Sequence, residues 1–523
     1  MMWKKKENKF LWSKESDKRN ALYVNLCTVR QREQLNNVQI KSDRASREMS
    51  KKGDDEVEES RWSNALSFFS KALCFAESNE QMSYCFANRS KCFYEMKMYK
   101  ESLVDIDLAK QYKYSKIDEL EQQQENCVNL LDVGKQSESF VPKLSYPSHE
   151  KFPGLADVLR IERNQEFGLH IVATADIDVG KTVLMERAFT TLSIGNEQRC
   201  TKCFSTYTNL VPCKHCTRAL FCLDSCEICD IHSLECGLQL PKTISLVRED
   251  FLPVVRSIVV ALNIFGRNVN ELKEFVENVI VDDQMKFPPD SIDGRSQYSI
   301  FLRHFDKNHP DGSNTTKSNI QSIYNALMGH RPIAEKFTTK HHQRFLMHLI
   351  GHHISIRRNI ANGIEFRNKL VIPVIGGYFN HSCIPNAIML PIDGYVVTTI
   401  CRPIKSGEQI CISYHGTKFQ SPFLERQKII EHEFYFKCKC ERCVMEVTET
   451  LEPCTFLDDQ QRVLLKNSAE TLLYTIEKRK MVTELCVELL NKHGRVNWCE
   501  DLGKVLSNYF VLLHTKFLLK TPY

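Results

Sequence analysis

The chain lacks the long apolar stretches that membrane insertion requires. Its 523 residues contain no run of 18 consecutive apolar residues, whereas a transmembrane helix needs about 20. The segment from Met1 to Lys6 ends in three lysines and has no apolar stretch of the kind found in secretory signal peptides. We therefore expect an intracellular protein, present in the cytoplasm and the nucleus.

A large excess of either charge is also missing. The sequence has 70 basic and 65 acidic residues and a net charge of +5, which is too balanced to indicate nucleic-acid binding. The N-terminus is the exception, since the first 52 residues hold 14 Lys and Arg against 6 Asp and Glu. We interpret residues 1–50 as a basic, solvated tail, with a nuclear import signal at Lys4-Lys5-Lys6 as the alternative.

Cysteine, in contrast, is abundant and clustered. Of the 22 cysteines, eight lie between Cys200 and Cys236 and three more between Cys438 and Cys443. In a reducing compartment such clusters indicate zinc sites and not a disulfide framework. Scattered cysteines in helical patterns are predicted to be small buried hydrophobic residues. Examples are Cys74, Cys85, Cys92 and Cys486.

Residues 51–135 have the apolar spacing of three and four that is typical of amphipathic helices. Trp62 and Tyr99 occupy matching positions, and small residues such as Ala65 and Ala87 would let helices approach closely. This pattern resembles the tetratricopeptide repeat, a helix pair of about 34 residues, with an ordinary helical hairpin as the alternative. Two clear repeats are few for a free solenoid, so we expect them to pack on neighbouring helices or on the next domain.

Eight candidate metal ligands follow in pairs, seven cysteines and one histidine. They are Cys200, Cys203, Cys213, Cys216, Cys222, Cys226, His232 and Cys236. Such ligands fill two tetrahedral zinc sites with no open position, so both sites would be structural. Metal binding would supply the folding energy that so short a segment lacks in its own core. Cys229 lies in the same stretch and could compete as a ligand.

The order of these ligands resembles the MYND finger, a zinc module that generally serves protein interaction. The resemblance implies that the ligands of the two ions interleave. One ion would be bound by Cys200, Cys203, Cys222 and Cys226, and the other by Cys213, Cys216, His232 and Cys236. His215 would be a surface residue.

Three motifs in the second half of the chain resemble the SET domain of methyltransferases. The first is the string from Asn380 to Asn386, Asn-His-Ser-Cys-Ile-Pro-Asn, followed by a predicted hairpin with its turn at Asp393-Gly394. The second runs from Gly407-Glu408 to Tyr414, and the third is the post-SET pattern Cys-x-Cys-x-x-Cys at 438–443. With the finger, they resemble the SET and MYND domain-containing methyltransferases, in the branch with N-terminal tetratricopeptide repeats.

The post-SET pattern supplies three thiolates, one fewer than a tetrahedral zinc needs. The family resemblance implies that the fourth ligand comes from the Asn-His-Ser-Cys string. The implied set is Cys383, Cys438, Cys440 and Cys443. An ion held in this way would fix the post-SET segment over the active site.

The resemblance also implies which residues hold the cofactor S-adenosylmethionine. Asn380 and His381 would contact it partly through backbone groups, and Phe436 would stack on its adenine. Tyr414 would close the site at the transferred methyl group, both as the catalytic residue and as a cofactor contact.

The opening motif of the SET domain supplies two further cofactor contacts, Gly168 and Leu169. Glu166 replaces the first glycine of the usual Gly-x-Gly, and its carboxylate would either tolerate the ammonium group of the cofactor or obstruct binding. One more contact would come from a later asparagine, either Asn359 or Asn362.

The predicted fold is multidomain α+β, in which a β-rich SET domain is split by the finger and flanked by N-terminal TPR-like helices and a C-terminal helical region. Residues 137–153, with three prolines, are interpreted as a linker. The predicted order is a basic tail (1–50), TPR-like helical repeats (51–135), an N-terminal SET segment (154–199), the finger (200–236), a helical SET insert (237–370) with a polar loop near 309–314, the SET core (371–416), a post-SET zinc segment (430–445) and C-terminal helices (458–523).

We expect a protein-lysine N-methyltransferase that transfers a methyl group from S-adenosylmethionine and binds three zinc ions, two in the finger and one at the post-SET site. The alternative is a catalytically weak or inactive adaptor or transcriptional regulator that acts through protein–protein interaction. The intact Asn380, His381, Tyr414 and Phe436 favour the enzyme, and Glu166 favours the adaptor. Expected partners are a substrate protein and proteins that bind the finger and the repeats, and the chain is expected to be a monomer.

Overall fold

The computed structural model describes most of the chain between residues 40 and 518. The described ranges are 40–133, 142–193, 199–204, 209–223, 226, 230–239, 251–281, 289–304, 314–361, 365–366, 369–416, 421–434, 436–448, 455–465 and 474–518. The chain divides into two compact units, each made of separate stretches. The first comprises residues 1–137, 192–269 and 318–347, and the second residues 138–191, 270–317 and 348–523.

Helices come first in the chain, and strands and helices then alternate in blocks. The N-terminal helices are α1 (Asp43–Glu58), α2 (Trp62–Phe75), α3 (Asn79–Glu95), α4 (Tyr99–Gln111) and α5 (Ile117–Val133). Next come β1 (Leu159–Asn164), β2 (Gly168–Ala173), β3 (Thr182–Arg187), β4 (Thr190–Ser193), β5 (Leu210–Pro212), β6 (Leu220–Cys222) and α6 (Asp230–Glu235). A helical block comes after them with α7 (Leu252–Ile264), α8 (Val269–Val281), α9 (Gly294–Leu302), α10 (Asn314–Gly329), α11 (Arg331–Ala334) and α12 (Lys340–Ala361).

The C-terminal third contains the remaining strands and five more described helices. The strands are β7 (Glu365–Phe366), β8 (Lys369–Ile372), β9 (Asn380–His381), β10 (Ala387–Ile392), β11 (Tyr395–Ile400) and β12 (Cys411–Ile412), with a 3-10 turn at Gly376–Tyr378. The helices are α13 (Phe423–Phe434), α14 (Glu441–Thr448), α15 (Asp459–Leu464), α16 (Ile476–His493) and α17 (Glu500–Leu518).

In the first unit, the five N-terminal helices pack in sequence, each against the next. Ala65, Phe69 and Phe86 are fully buried, as expected for the apolar face of amphipathic helices. Gly53 lies so close to α2 that a Cβ there would meet the Phe69 ring at 2.8 Å. The absence of a side chain at Gly53 therefore lets α1 and α2 approach closely.

The first helix begins at Asp43, inside the stretch that we interpreted as a solvated tail, so that interpretation is wrong for residues 43–50. Apolar periodicity could not indicate this helix, because its buried residues are Ser46, Ser50 and Gly53. The Ser46 hydroxyl instead donates to the Ala72 carbonyl at 2.8 Å. Polar contacts thus contribute to packing beside the few apolar residues of the helix, Met49 and Val57.

The cysteine-rich segment packs on these helices within the same unit. Val211 of β5 packs against the helical core, and Cys74 of α2 lies in one buried cluster with Cys200 and Leu210. Just before β5, the Asn209 amide donates to the Glu101 carbonyl and to an Asp105 carboxylate oxygen, both at 2.7 Å. The expectation that the helices need a further packing partner is therefore confirmed.

Asp105 also forms a buried ion pair with Arg89. The guanidinium donates two hydrogen bonds to the carboxylate, at 2.6 and 2.8 Å, and neither side chain is more than 1% exposed. A paired arrangement of this kind satisfies both charges away from water. The Asn209 amide uses the remaining acceptor capacity of the carboxylate.

In the second unit, the main antiparallel sheet has the order β10–β11–β3. The predicted hairpin is confirmed, since β10 and β11 pair up to Ile392 opposite Tyr395. Asp393 and Gly394 have φ angles of 42° and 82°, as a two-residue type I′ turn requires. β1 and β2 form a second antiparallel pair, and β9 and β12 a short parallel one.

The segment interpreted as a linker is part of this second unit from residue 142 onward. Ser145 accepts from the Thr182 N–H through its hydroxyl and donates its own N–H to the Thr182 carbonyl, both at 2.9 Å. Phe152 is buried in the core of the unit. The prolines therefore interrupt regular secondary structure, but the segment is still held in place by hydrogen bonds. It covers the edge strand β3. The linker interpretation is wrong for residues 142–153.

The C-terminal helices α16 and α17 pack against the β10–β11 hairpin, where Leu390 and Val397 share a buried cluster with Leu502 and Leu506.

The predicted helical insert is helical from α7 to α12, although its stretches belong to both units. The polar loop near 309–314 lies outside the described residues up to 313. Cys74, Cys85, Cys92 and Cys486 are buried as predicted.

No single helix in the described part of the chain has the length and apolar composition of a membrane span. Among the described residues, one pair of helices, Leu252–Ile264 and Val269–Ile280, has this length and composition when the two are taken together, and the pair is bent by 107°.

Replacing Asp105 should destabilise the first unit strongly. The Asp105→Ala variant leaves Arg89 buried without its partner, and breaking such a pair costs about 3–5 kcal/mol. The control Glu48→Ala removes an exposed ion pair with Arg44, which contributes less than about 1 kcal/mol. Urea denaturation followed by circular dichroism measures both. Equal midpoints for the two variants would contradict the assigned role of the buried pair.

Candidate active site

The site forms where two short parallel strands meet in the second unit. Cys411 of β12 pairs with Asn380 of β9, and Ile412 pairs with His381. Asn386 fixes the same loop, because its side-chain oxygen accepts from the Cys411 N–H at 2.7 Å. The Asn-His-Ser-Cys-Ile-Pro-Asn string is thereby folded around the strand that leads to the predicted catalytic tyrosine.

Tyr414 lies just after β12, and its side chain is enclosed by aromatic rings. The hydroxyl donates to the Phe379 carbonyl at 3.0 Å, and the ring centroid lies 4.8 Å from Phe434 and 5.3 Å from His381. Burial raises the pKa of the Tyr414 hydroxyl well above its usual value. The group is therefore a neutral phenol whose oxygen lone pairs can still accept a hydrogen bond.

The His381 imidazole connects three parts of the site. Nδ1 accepts from the backbone N–H of Tyr414 at 3.1 Å, so the ring proton lies on Nε2, which is 3.3 Å from the Cys383 Sγ. Burial, and then the neighbouring His415, lower the pKa of His381 to about 3. The ring is therefore neutral and serves structural contacts, which leaves ligand contacts to the backbone of β9.

The turn between β1 and β2 contains the opening motif. Asn164 Oδ1 accepts from the N–H groups of Glu166 at 3.0 Å and of Phe167 at 2.6 Å. Gly168 has a φ of 64°, and a Cβ there would meet no atom within 4 Å. Leu169 is partly buried against the core. The turn is thus held from inside, whereas the space beside Gly168 is open and the Glu166 side chain is exposed.

Two further predicted contacts lie near this open space. The Asn380 amide donates to the Phe167 carbonyl at 3.4 Å and to Gln409 Oε1 at 3.3 Å, and such long bonds are weak. Phe436 is 39% exposed, with its ring centroid 6.3 Å from that of His381. A half-exposed ring and a weakly bonded amide are both available to a ligand.

The post-SET cysteines meet the Cys of the string. Cys383, Cys438, Cys440 and Cys443 place their Sγ atoms within 4.8 Å of one another. The Cys383 Sγ lies 3.9 Å from that of Cys438 and 3.5 Å from that of Cys443. Hydrogen bonds from the other three thiols lower the pKa of Cys440, which favours the thiolate, the form that binds metal.

Two buried arginines flank this thiol cluster. Arg426 is fully buried, donates to Glu446, and has its Nη2 3.9 Å from the Cys443 Sγ. Arg442 donates to the Cys383 carbonyl at 3.3 Å and lies 3.6 Å from the ring centroid of Trp498. Both guanidinium groups pair with Glu446 and lie next to the thiol cluster.

In the first unit, the structure brings together the two interleaved ligand sets implied by the sequence. The Sγ atoms of Cys203 and Cys222 are 3.5 Å apart, and those of Cys213 and Cys236 are 3.8 Å apart. The full sets within 4.8 Å are Cys200, Cys203, Cys222, Cys226 and Cys213, Cys216, His232, Cys236. Each set can hold a tetrahedral metal ion. His215 is exposed, as predicted, and Cys229 lies outside the described residues.

Comparison with known proteins agrees with this arrangement. A model of the SET domain matches residues 168–415. The protein-lysine N-methyltransferase SMYD4 of Danio rerio is 21% identical, over 74% of this chain and 63% of its own length. A SET and MYND domain-containing protein of Dictyostelium discoideum is 25% identical, over 54% of this chain and 81% of its own length.

The chain therefore contains a SET domain and is similar to SET and MYND domain-containing proteins. It covers less than two thirds of the length of the zebrafish relative. A solved structure, the SET domain of LSMT bound to lysine and AdoHcy, is 11% identical with a TM-score of 0.24, over 69% of this chain and 86% of that one.

One residue of this SET domain escaped the sequence analysis. Glu186 of β3 is 7% exposed, and its carboxylate accepts the backbone N–H groups of Val374, Ile375 and Gly376 at 3.0, 2.7 and 2.9 Å. In the sequence, Glu186 is a single acidic residue that follows the apolar run Val183-Leu184-Met185 of a predicted strand. Because an arginine comes next, the two charged residues are typical of an exposed strand end, and the pattern does not indicate a buried glutamate.

Of the two later asparagines predicted as alternative cofactor contacts, the structure describes one. The Asn359 amide donates to the His304 carbonyl at 2.9 Å, so it supports the fold behind the site. Asn362 lies outside the described residues. A buried residue that we did not predict, His415, places a ring nitrogen within 4.8 Å of the corresponding atoms of His381 and Cys383.

Glu186 predicts a pH dependence of stability. Burial outweighs its three N–H bonds and raises the pKa from 4.5 to about 7, so the folded state binds a proton more tightly than the unfolded chain. Its contribution to stability is therefore largest below pH 4.5 and decreases as the pH rises to about 7. We expect the melting temperature of the wild type relative to Glu186→Gln to fall over this window.

The matched control is Glu488→Gln, which makes the same change at an exposed position on α16. The difference in melting temperature between Glu488→Gln and the wild type should not vary over the same pH range. A pH-independent difference for Glu186→Gln as well would show that this carboxyl does not titrate with a raised pKa.

Proposed function

We propose that this chain is a protein-lysine N-methyltransferase that uses S-adenosylmethionine as methyl donor. The observation that carries the proposal is the Tyr414 hydroxyl, fixed by the Phe379 carbonyl beside the strand of Asn380 and His381. The SET-domain match over residues 168–415 and the similarity to the protein-lysine N-methyltransferase SMYD4 support the same reaction.

The residues around the opening motif fit the methyl donor. The open space beside Gly168 allows close approach to the backbone, and the weakly bonded Asn380 amide can exchange its present partners for a polar ligand. The half-exposed Phe436 ring offers a face for the adenine. Leu169 and His381 would support these contacts through the backbone of β2 and β9.

When bound, S-adenosylmethionine supplies a sulfonium methyl group: the lysine nitrogen bonds to the methyl carbon, the carbon–sulfur bond breaks, S-adenosylhomocysteine leaves, and the surplus proton passes to water. The lysine amine must be neutral to attack. The apolar walls formed by Tyr414 and Phe434 disfavour an ammonium ion and so lower the pKa of a bound lysine. Tyr414 keeps its proton and can accept a hydrogen bond from the amine, so its contribution is orientation.

We further propose that the three ligand clusters bind three zinc ions, two in the MYND finger and one at the post-SET site. With Zn–S bonds of about 2.3 Å, tetrahedral thiolates lie about 3.8 Å apart, and the measured Sγ separations of 3.5 to 3.9 Å match this value. Four thiolates on one Zn²⁺ leave a net negative charge, which Arg426 and Arg442 would offset at the post-SET site.

A second candidate function, an adaptor with little or no turnover, is favoured by Glu166. Its exposed carboxylate lies on the turn beside the open space at Gly168. A fixed negative charge there would either attract the ammonium group of the donor or occupy its position. The packing of the finger on the N-terminal helices would serve recruitment in either case.

The proposal extends to partners and location. The sequential packing of α1 to α5 supports a tetratricopeptide-like repeat, which with the finger would bind partner proteins. The proposal also includes a monomeric state and a location in the cytoplasm and the nucleus.

The Tyr414→Phe variant tests the reaction. We expect it to lower kcat about 10²-fold or more, because positioned polar groups of this kind contribute about 10²–10⁴, while donor binding changes little. The assay is radiolabel transfer from S-adenosylmethionine to an array of lysine-containing peptides, with kinetics on the peptide most strongly labelled. The control is Tyr474→Phe, whose hydroxyl also donates to a backbone carbonyl, that of Leu464 at 3.3 Å.

Calorimetry of S-adenosylmethionine binding separates the two candidate functions. Micromolar affinity, about −8 kcal/mol, supports the enzyme. If folded, zinc-loaded wild type neither binds the donor nor labels any peptide, and Glu166→Gly restores binding, the catalytic reading is wrong and the adaptor remains.

Metal content provides a separate test. We expect native mass spectrometry to find three zinc ions per chain, and Cys443→Ser and Cys222→Ser each to lose one. The control Cys401→Ser alters a buried cysteine outside the three clusters and should keep all three. Two ions in the wild type, or full occupancy in both ligand variants, would contradict the proposed sites.

A further inference from the structure

The buried carboxylate of Glu186 contacts the chain just before the site. Oε1 accepts from Val374 and Ile375, and Oε2 accepts from Gly376. These are three successive N–H groups at the start of the 3-10 turn Gly376–Tyr378, where a helical turn has no internal acceptors of its own. The fit is close, since a Cβ on Gly376 would lie 3.3 Å from Oε2.

The same loop is held on its other side by His304. Its Nε2 donates to the Val374 carbonyl at 2.7 Å, and its ring stacks on Tyr378 with centroids 4.2 Å apart. Burial lowers the pKa of His304 to about 4, so the ring is neutral. The backbone before the turn is therefore fixed through both its N–H groups and a carbonyl.

The 3-10 turn is followed directly by Phe379 and Asn380, two residues of the proposed active site. Phe379 comes immediately after Tyr378 and is 1% exposed. Its carbonyl is the acceptor that directs the Tyr414 hydroxyl, and the next residue, Asn380, begins β9. A displacement at residues 374–376 would therefore reach the hydroxyl through a short, fully packed stretch of backbone.

We propose that Glu186 is a positioning residue for methyl transfer, which fixes the Phe379 carbonyl and thereby the direction of the Tyr414 hydroxyl. This inference rests on the proposed function. Glu186 itself touches neither the methyl donor nor the lysine. Its removal should affect the chemical step more than donor binding, because the donor contacts proposed at Gly168 and Phe436 lie on other segments of the chain and only those at β9 follow Phe379 directly.

The test compares Glu186→Gln with two controls at pH 8. The amide keeps the size of the carboxylate but cannot accept from all three N–H groups, because one of its two terminal atoms is a donor. Glu488→Gln repeats the change at an exposed position. Val505→Ala destabilises the buried C-terminal helix α17 and controls for a general loss of stability.

For Glu186→Gln we expect a 10- to 100-fold lower kcat on the labelled peptide, since small misplacements near a site cost up to about 10²-fold. The Kd for S-adenosylmethionine should change less than threefold. Hydrogen exchange, followed by mass spectrometry, should accelerate in peptides covering residues 372–380. Both controls should keep the wild-type kcat and the wild-type exchange in that segment.

The possible failures are distinguishable. Wild-type kcat in a Glu186→Gln protein overturns the inference and leaves the proposed function intact, as does an equal loss of kcat in Val505→Ala. Unchanged exchange in residues 372–380 overturns the assigned backbone contact, whatever the activity. A wild type that binds no donor and labels no peptide overturns the proposed function itself.

Discussion

The parallel pairing of β9 with β12 is the contact on which the rest of the site depends. Two residues on each strand provide too few backbone bonds to hold the pair by themselves. Side chains on and beside the two strands supply the remainder, through the Asn386 amide, the His381 ring and the Tyr414 hydroxyl. Each of these bonds ends on a backbone group, so the side chains that define the family motif also fix the path of the chain.

Charge is distributed in the core of the SET unit so that buried polar groups meet partners. Glu186 faces three N–H groups, and Arg426 and Arg442 lie beside the thiols of Cys383 and Cys443. Unpaired, any of these groups would cost several kcal/mol. In the first unit the Arg89–Asp105 pair follows the same rule, and Asn209 links it to the cysteine-rich segment.

The features that were predictable from sequence are local or are fixed by valence. The turn at Asp393-Gly394 was predictable because few dipeptides adopt its backbone angles. The cysteine sets were predictable because the sequence resembles the MYND finger and the post-SET motif, whose ligand sets the resemblance implies. Amphipathic helices from α2 onward were predictable from apolar spacing. Helix α1 was not, because the residues that it buries most completely are serine and glycine.

The sequence by itself determined the candidate ligands and the residues of the SET-domain motifs, since each depends on residue identity and short spacing. Only the tertiary structure decided which polar groups are buried and against what. Glu186 and Val374 are far apart in the chain, and nothing in either segment indicates the other. The segment 142–153 likewise reads as a linker until strand β3 lies beside it. Burial and hydrogen bonding depend on the neighbours that folding brings together, and these are not encoded in local pattern.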